Sequence, residues 1–475
     1  MRNLTMLTDL YQLTMLNGYY QQGMQERRAV FDMFYRQQGP LSYAVMAGNE
    51  QVRDYLHNLR FTPEDAAYLR SLHLFEEGFL TWLQGLQFRF DIDMVPEGSF
   101  VFPGEPLVRV EAPLALAQLI ETALLTLIGH QTLIATKANR VVRAAQGDRV
   151  MEFGLRRAQG VDAGIYGARA AVIGGCTSTS NTLAGKLFDI PVSGTHAHSW
   201  VMSFDSELEA FRAYASSYPD SCLLLVDTYD TLRSGVPNAI TVFEELRAQG
   251  HRPRGIRLDS GDLSYLSRMA RQMLDEAGFE DTIIVASNDL DEYLIRDLKL
   301  QGARIDLWGV GTKLITGGDN PALGGVYKMS AIEENGVLEP RMKFSDNPAK
   351  ITLPGKKSFY RVLDENGMAF ADLIALADEV YDQSQPLTLF DPVETWKRST
   401  LTHYTLKPML QPFWRGNEHV GPVLTVHEIS DFRAGEEKQI WPEQLRPMNP
   451  QVPKVDLSQR LWDLRHGLLV QGGKA

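Results

Sequence analysis

CLLLVDTYDT at 222–231, GIRLDSGDL at 255–263 and TIIVASNDLDE at 282–292 share one design, a short apolar run that ends in a polar cluster. An apolar run of this length, bounded by turn residues, reads as a strand buried on both faces, as in a parallel sheet. Outward from these three the texture repeats: VMEF (150–153) then GLRR, AAVI (170–173) then GGCTSTSN, IPV (190–192) then SGTHAHS, IDLW (305–308) then GVGTK, and GVYKM (325–329). Between them lie helical patterns such as AITVFEELRAQG (239–250) and LSRMARQMLDEAG (266–278). Strands alternating with helices imply parallel βαβ units, and eight of them predict an eight-stranded α/β barrel. A doubly wound open sheet is the second topology compatible with the pattern. In a barrel the polar clusters, each following its strand, gather on the C-terminal face where catalytic loops converge.

This texture assigns residues 141–375 to a catalytic domain. Residues 1–140 read as an α+β domain. There TDLYQLTMLNGYY (8–20) is an amphipathic helix with Thr8 at its N-cap, AVFDMFYR (29–36) is a strand, and 99–111, with its PGEP, is a hairpin. Residues 376–475 are rich in Pro and Trp, as in LKPMLQPFWRGNEHVGP (406–422), and read as a small C-terminal appendage packing on the N-terminal domain.

The chain has 475 residues and a net charge of −12, with no basic run longer than two residues. Such a chain repels nucleic acid and anionic membranes, although a few convergent arginines still suit a small anion. Two cysteines, Cys176 and Cys222, exclude a disulfide framework and a multi-thiolate zinc site. The start, MRNLTMLTDLYQL, has no apolar core of signal-peptide type. The apolar stretch 113–138 holds Gln118, Glu121, His130 and Gln131, which suits a buried helix pair rather than a membrane span. The expected compartment is the cytoplasm.

Five clusters carry candidate chemistry. GVGTK offers Gly309 and Gly311, whose backbone can approach a phosphate, and the Thr312 hydroxyl; loops after the last strands are the usual phosphate site of such barrels, and an ordinary turn is the alternative. IRLDSGDL sets Arg257 and Asp259 two apart, hence on one strand face. They suit a carboxylate or phosphate and ribose hydroxyls, or a plain structural ion pair. GTHAHSW holds His196 and His198, open to metal, acid–base or phosphoryl-acceptor roles, with zinc the weakest; for His196 a hydrogen-bonded core histidine is the better reading. EFGLRR offers the Phe153 ring for stacking a flat substrate and Arg156 for clamping a carboxylate, or a core Phe with surface arginines. GGCTSTSN presents Thr177, Ser178, Thr179 and Ser180, which either line a pocket or start a helix.

EFGLRRAQG, GGCTSTSN, GTHAHSW, IRLDSGDL, ASNDLDE, GVGTK, LGGVYK and NPAKITLPGKKSFYR, in this order, together with TDLYQLTM and LWDLR, resemble the nicotinate phosphoribosyltransferases over nearly the whole chain. The resemblance implies a three-domain subunit with an irregular barrel of the type II phosphoribosyltransferase kind, in a homodimer with active sites at the subunit interface. It implies a pentosyltransferase that joins nicotinate to phosphoribosyl pyrophosphate with Mg²⁺, coupled to ATP hydrolysis through a phosphorylated histidine, in NAD salvage. By motif position that histidine is His198. Thr195 and Arg257 match nicotinate contacts, Phe153 and Arg156 match the stacking and pocket positions of the related nicotinamide enzyme, and Tyr11 matches a ring-contacting tyrosine from the partner subunit. Asp259, Asn288, Gly309, Gly311 and Thr312 fall at phosphoribosyl pyrophosphate positions, and His198, Arg257 and Asp259 form the expected catalytic set.

Displacement at an anomeric carbon by a pyridine nitrogen needs little proton transfer, so positioning and charge neutralisation carry the reaction. A site of Gly, Thr, Arg and Asp without a Ser–His–Asp triad fits it. Nicotinamide phosphoribosyltransferase favours a carboxylate acceptor in its pocket, whereas hydroxyls beside Arg156 and Arg257 favour an acid. A quinolinate enzyme needs more cations. A barrel aldolase or isomerase needs a strand-end base or lysine, for which Lys313 is the candidate, and a non-catalytic module binds nicotinate without releasing pyrophosphate.

Overall fold

The computed structural model describes residues 2–37, 41–347 and 350–472; Pro348 and Ala349 of the motif at 347–361 lie outside the described residues. The chain divides into two compact units, Ile134–Pro321 and the combination of Met1–Leu133 with Ala322–Ala475.

Ile134–Pro321 holds six parallel strands, five of them from the apolar runs and the second from the polar cluster GGCTSTSN: β1 (Arg149–Glu152), β2 (Ser178–Thr179), β3 (Leu223–Leu225), β4 (Gly255–Leu258), β5 (Ile283–Ala286) and β6 (Leu307–Val310). Their order is β2-β1-β6-β5-β4-β3. All but a few of their residues are buried, which explains runs that do not alternate. Helices Val161–Ile173, Val236–Ala248, Leu263–Glu276 and Glu292–Leu300 connect them. The polar clusters also start these helices. Asp262 of DSGDL accepts from Tyr265 N, and Asp291 of SNDLDE accepts from the amides of Tyr293 and Leu294.

The expected eight strands are therefore six, and no backbone ladder joins β2 to β3 among the described residues. AAVI is the last turn of helix Val161–Ile173, its four residues fully or nearly buried; so short an apolar run suits a buried helix as well as a strand. IPV supplies a single parallel bridge, Val192 to Thr179. GVYKM leaves this unit altogether. Strand Gly325–Glu334 pairs antiparallel with Arg28–Tyr35, Tyr327 opposite Met33, so the unit ends at Pro321 rather than at the expected 375.

The other unit holds a seven-stranded sheet in which Arg28–Tyr35 lies between Gly325–Glu334 and Val108–Pro113, followed by Phe90–Met94 and Gln411–Gly416. Ala29, Phe31, Met33, Val110 and Tyr327 pack in its core. Asp9 rather than Thr8 holds the N-cap position of helix Leu10–Gln21, its carboxylate accepting from Thr122 Oγ1 at 2.8 Å instead of capping the helix, and the Thr8 hydroxyl donates to Leu119 O at 3.3 Å. The stretch 99–111 is not a hairpin: Phe100–Val101 pairs with Ala44–Val45. Helices Leu114–Leu119 and Glu121–Ala144 occupy the apolar stretch as expected. A four-stranded sheet in the same unit contains Arg361, fully buried, with bidentate hydrogen bonds to Asp372 at 2.9 and 2.8 Å. Among the described residues no helix is long and apolar enough to cross a membrane.

Candidate active site

At the carboxyl ends of the parallel strands lies a cavity of about 510 Å³. Its lining contains Phe153 and Arg156 from the turn after β1, Thr195 and His198, Arg257 from β4 and Asp259 just after it, Asn288 after β5, and Gly309, Gly311 and Thr312 from β6 and its loop. Sequence reasoning singled out all ten, and the sheet brings them together. Tyr11 belongs to the other unit, on helix Leu10–Gln21, with its ring about half exposed.

Two strand ends build the charged centre. Arg257 Nε donates to Ser287 Oγ at 2.7 Å and Nη2 donates to Asp259 Oδ1 at 2.9 Å. Ser287 Oγ also donates to Asp259 Oδ1. Burial pushes the Asp259 carboxyl up, but the Ser287 hydrogen bond and the Arg257 charge outweigh it and hold the group below the usual carboxylate value. Asp227, after β3, accepts from Asp259 N at 2.9 Å and from Ser260 Oγ at 2.6 Å, and its Oδ1 is buried without a hydrogen-bond partner among the described residues. His198 begins the short helix His198–Met202; its Nδ1 lies 3.1 Å from Thr228 Oγ1 and its Nε2 lies 3.7 Å from Asp259 Oδ2. Both histidines border the cavity, His198 with 40% of its side chain exposed. His196 is buried, with its ring edge-on to Tyr214 at 4.8 Å, and burial lowers its pKa to about 4.

The flat part of the cavity is set by Phe153. Its ring lies under the Arg257 guanidinium, 5.6 Å from carbon to centroid. A Cβ on Gly309 would stand 2.6 Å from the same ring, so only glycine admits the ring there. The turn carrying Phe153 is pinned by Glu152, fully buried, which accepts from Gly154 N and from Thr179 Oγ1 at 2.5 Å. Asn288 has φ of 119°, a left-handed conformation rare for a residue with a side chain, and such strain clusters at sites.

Among the described residues the guanidinium groups of Arg156 and Arg157 have no ion-pair partner, whereas that of Arg257 is engaged. Three arginines against Asp259 and Asp289 leave the lining one positive charge (3 − 2 = 1) in an acidic chain. Of the hydroxyl cluster only Ser180 reaches the cavity. Thr179 serves Glu152 and Thr177 donates to Val150 O at 3.2 Å, while Asn181 caps helix Thr182–Phe188. Lys313 is outside the lining and pairs with Asp319 at 3.2 Å. Cys176 and Cys222 are buried, and burial pushes the Cys222 thiol up to about 12. Sequence reasoning missed Glu152, Asp227 and Ser287 as supports. The signal for each is a polar residue at a strand end, one or two positions from a cavity residue.

Fold and cavity define an α/β enzyme with its site at the carboxyl edge of a parallel sheet. Family models described as nicotinate phosphoribosyltransferase (NAPRTase) family, its N-terminal domain and its C-terminal domain match residues 149–362, 6–129 and 356–465. The chain belongs to the nicotinate phosphoribosyltransferase family. It is 47% identical to nicotinate phosphoribosyltransferase of Bacillus subtilis over 97% of this chain and 94% of that protein. The crystal structure of human nicotinic acid phosphoribosyltransferase superposes with a TM-score of 0.87 at 31% identity, covering 97% of this chain and 99% of that one. Nicotinate-nucleotide pyrophosphorylase from Pyrococcus furiosus shares the fold, with a TM-score of 0.70 at 20% identity, covering 92% and 96% of the two chains.

Proposed function

We propose that this chain transfers the phosphoribosyl group of phosphoribosyl pyrophosphate to nicotinate, releasing pyrophosphate, in NAD salvage in the cytoplasm. The observation that carries this reading is one cavity holding an aromatic plate, unpaired guanidinium groups and glycine-lined backbone, in a chain related along its whole length to enzymes of that name. Nicotinate lies against Phe153 with its carboxylate toward Arg156, and Thr195 and Arg257 border the ring. Gly309, Gly311, Thr312 and Asn288 receive the phosphates, and Asp259 receives the ribose hydroxyls. The pyridine nitrogen attacks the anomeric carbon while the bond to pyrophosphate breaks. The oxocarbenium-like state is stabilised by the ionised Asp259, and the departing anion by the cationic lining.

A magnesium ion bound with the pyrophosphate would supply neutralisation of its charge. Asp227, whose buried Oδ1 has no hydrogen-bond partner among the described residues, and Asp259, which lines the cavity, would be the oxygen donors to hold it. His198 takes the phosphoryl group of ATP and couples its hydrolysis to synthesis, a role supported by its place beside Asp259 and Thr228. The active form is a homodimer in which Tyr11 of one subunit contacts the ring held by the other. The sheet is an irregular barrel opened between β2 and β3, a reading supported by the pairing of the last strand, β6, with the first, β1.

The acid is favoured over the amide because Arg156 is a bidentate donor without a partner. Pyrophosphate release measured with nicotinate, nicotinamide and quinolinate in parallel tests the reading. Release with nicotinate alone is expected, and equal kcat/KM for nicotinamide overturns the substrate assignment.

A further inference from the structure

Strand β3 ends the sheet. Its Leu224 lies opposite Ile256 of β4, with Cys222 O accepting from Arg254 N at 2.8 Å and Val226 N donating to Arg257 O at 3.1 Å. Successive residues of a strand send their backbone groups to opposite sides. Positions 222, 224 and 226 therefore face β4, and Leu223 and Leu225 face the open edge. A parallel neighbour would donate to the carbonyl of 223 and accept from the amide of 225. Two side chains do this instead. Thr195 Oγ1 donates to Leu223 O at 2.6 Å, and His196 Nε2 accepts from Leu225 N at 3.3 Å. The chain just before them is bonded by its backbone to β2, Thr179 N donating to Pro191 O at 3.1 Å and Ser193 N to Thr179 O at 3.0 Å. Residues 191–196 thus bridge the two free edges, with backbone on one side and side chains on the other.

We propose that His196 is a positioning residue: its neutral imidazole closes the sheet between β2 and β3 and thereby fixes the segment that carries Thr195 and His198 at the cavity. The functional part of this statement rests on the reading of Thr195 and His198 given above. With Nε2 accepting, the ring proton sits on Nδ1, 3.4 Å from Ala197 O, and that contact turns the ring. His196 is 8% exposed, so losing the acceptor strands a buried amide.

The test compares His196→Leu, which has no acceptor, with His196→Gln, whose side-chain oxygen reaches the same amide. In His196→Leu, hydrogen–deuterium exchange at Leu225 rises and kcat/KM for nicotinate falls, each about tenfold, the scale of one unsatisfied buried amide. The loss falls mainly on KM. In His196→Gln both return to within about threefold of the parent. Equal behaviour of the two variants, or unchanged exchange in His196→Leu, overturns the proposal. The parent's imidazole ¹⁵N spectrum decides independently if His196→Leu does not fold: an unprotonated Nε2 supports the assignment and a protonated one overturns it. A parent that makes no nicotinate mononucleotide would overturn the functional reading alone, because exchange and ¹⁵N shifts still report the bridge.

Discussion

At Arg156 a cation faces the cavity with no ion-pair partner among the described residues, and this asymmetry with Arg257 sets the first expectation. Arg156→Ala lowers kcat/KM for nicotinate by about 10²-fold and narrows the preference over nicotinamide, because it removes a charge-assisted pair that only the acid makes; steady-state kinetics with both substrates read it. Gly309→Ala drives a methyl into the Phe153 ring, 2.6 Å away. It raises KM for nicotinate with little change in thermal midpoint, since the ring swings into open cavity rather than core. His198→Ala abolishes acid-labile ³²P incorporation from γ-labelled ATP and removes ATP stimulation, whereas His196→Ala keeps the label; label retained in His198→Ala assigns the phosphate elsewhere. These residues were legible as motifs because each lies in a short polar string after an apolar run. Glu152, Asp227 and Ser287 were not, since their roles are hydrogen bonds between neighbouring strands or to a turn, and a single sequence does not show which strands are neighbours.

At the scale of the element, the turn after β1 and the end of β4 each rest on a carboxylate shifted in the opposite direction. Burial raises the pKa of Glu152, only partly offset by Thr179 and Gly154. Its contribution to stability is therefore full below the unfolded value of about 4.3 and is lost as pH rises through the raised folded value. Asp259, held below its ordinary value, contributes above about 3.9 and loses that contribution as pH falls through the lowered one. Urea midpoints from about pH 2 to about pH 7 check the signs: Glu152→Gln flattens the loss on going to neutral pH, and Asp259→Asn flattens the loss on acidification below about pH 4. The strands that bear these groups were legible from their apolar runs. AAVI was misread because four apolar residues carry no period, and GVYKM was read as a strand without any indication that its partner is Arg28–Tyr35.

Across the whole molecule, the subunit arrangement proposed for Tyr11 makes a complementation experiment decisive. Tyr11→Ala and Arg257→Ala subunits, each inactive alone, regain partial activity when mixed and re-associated, because one site in the hybrid has both groups intact. A verified heterodimer without activity removes the shared-site arrangement. The order of the seven-stranded sheet has a further consequence, for synthesis on the ribosome. Arg28–Tyr35, Val108–Pro113 and Phe90–Met94 emerge early as a three-stranded sheet, yet its two flanking strands, Gly325–Glu334 and Gln411–Gly416, come only after the parallel-sheet unit. About 210 residues separate Pro113, where that early sheet is completed, from Gly325, or roughly 10 to 40 s at 5–20 residues per second. Throughout that interval the nascent chain presents two bare β-edges, the condition that invites intermolecular pairing. Holdase capture of stalled chains ending near Pro321, and its release once the strand at 325–334 has cleared the exit tunnel, is the translational signature this topology demands.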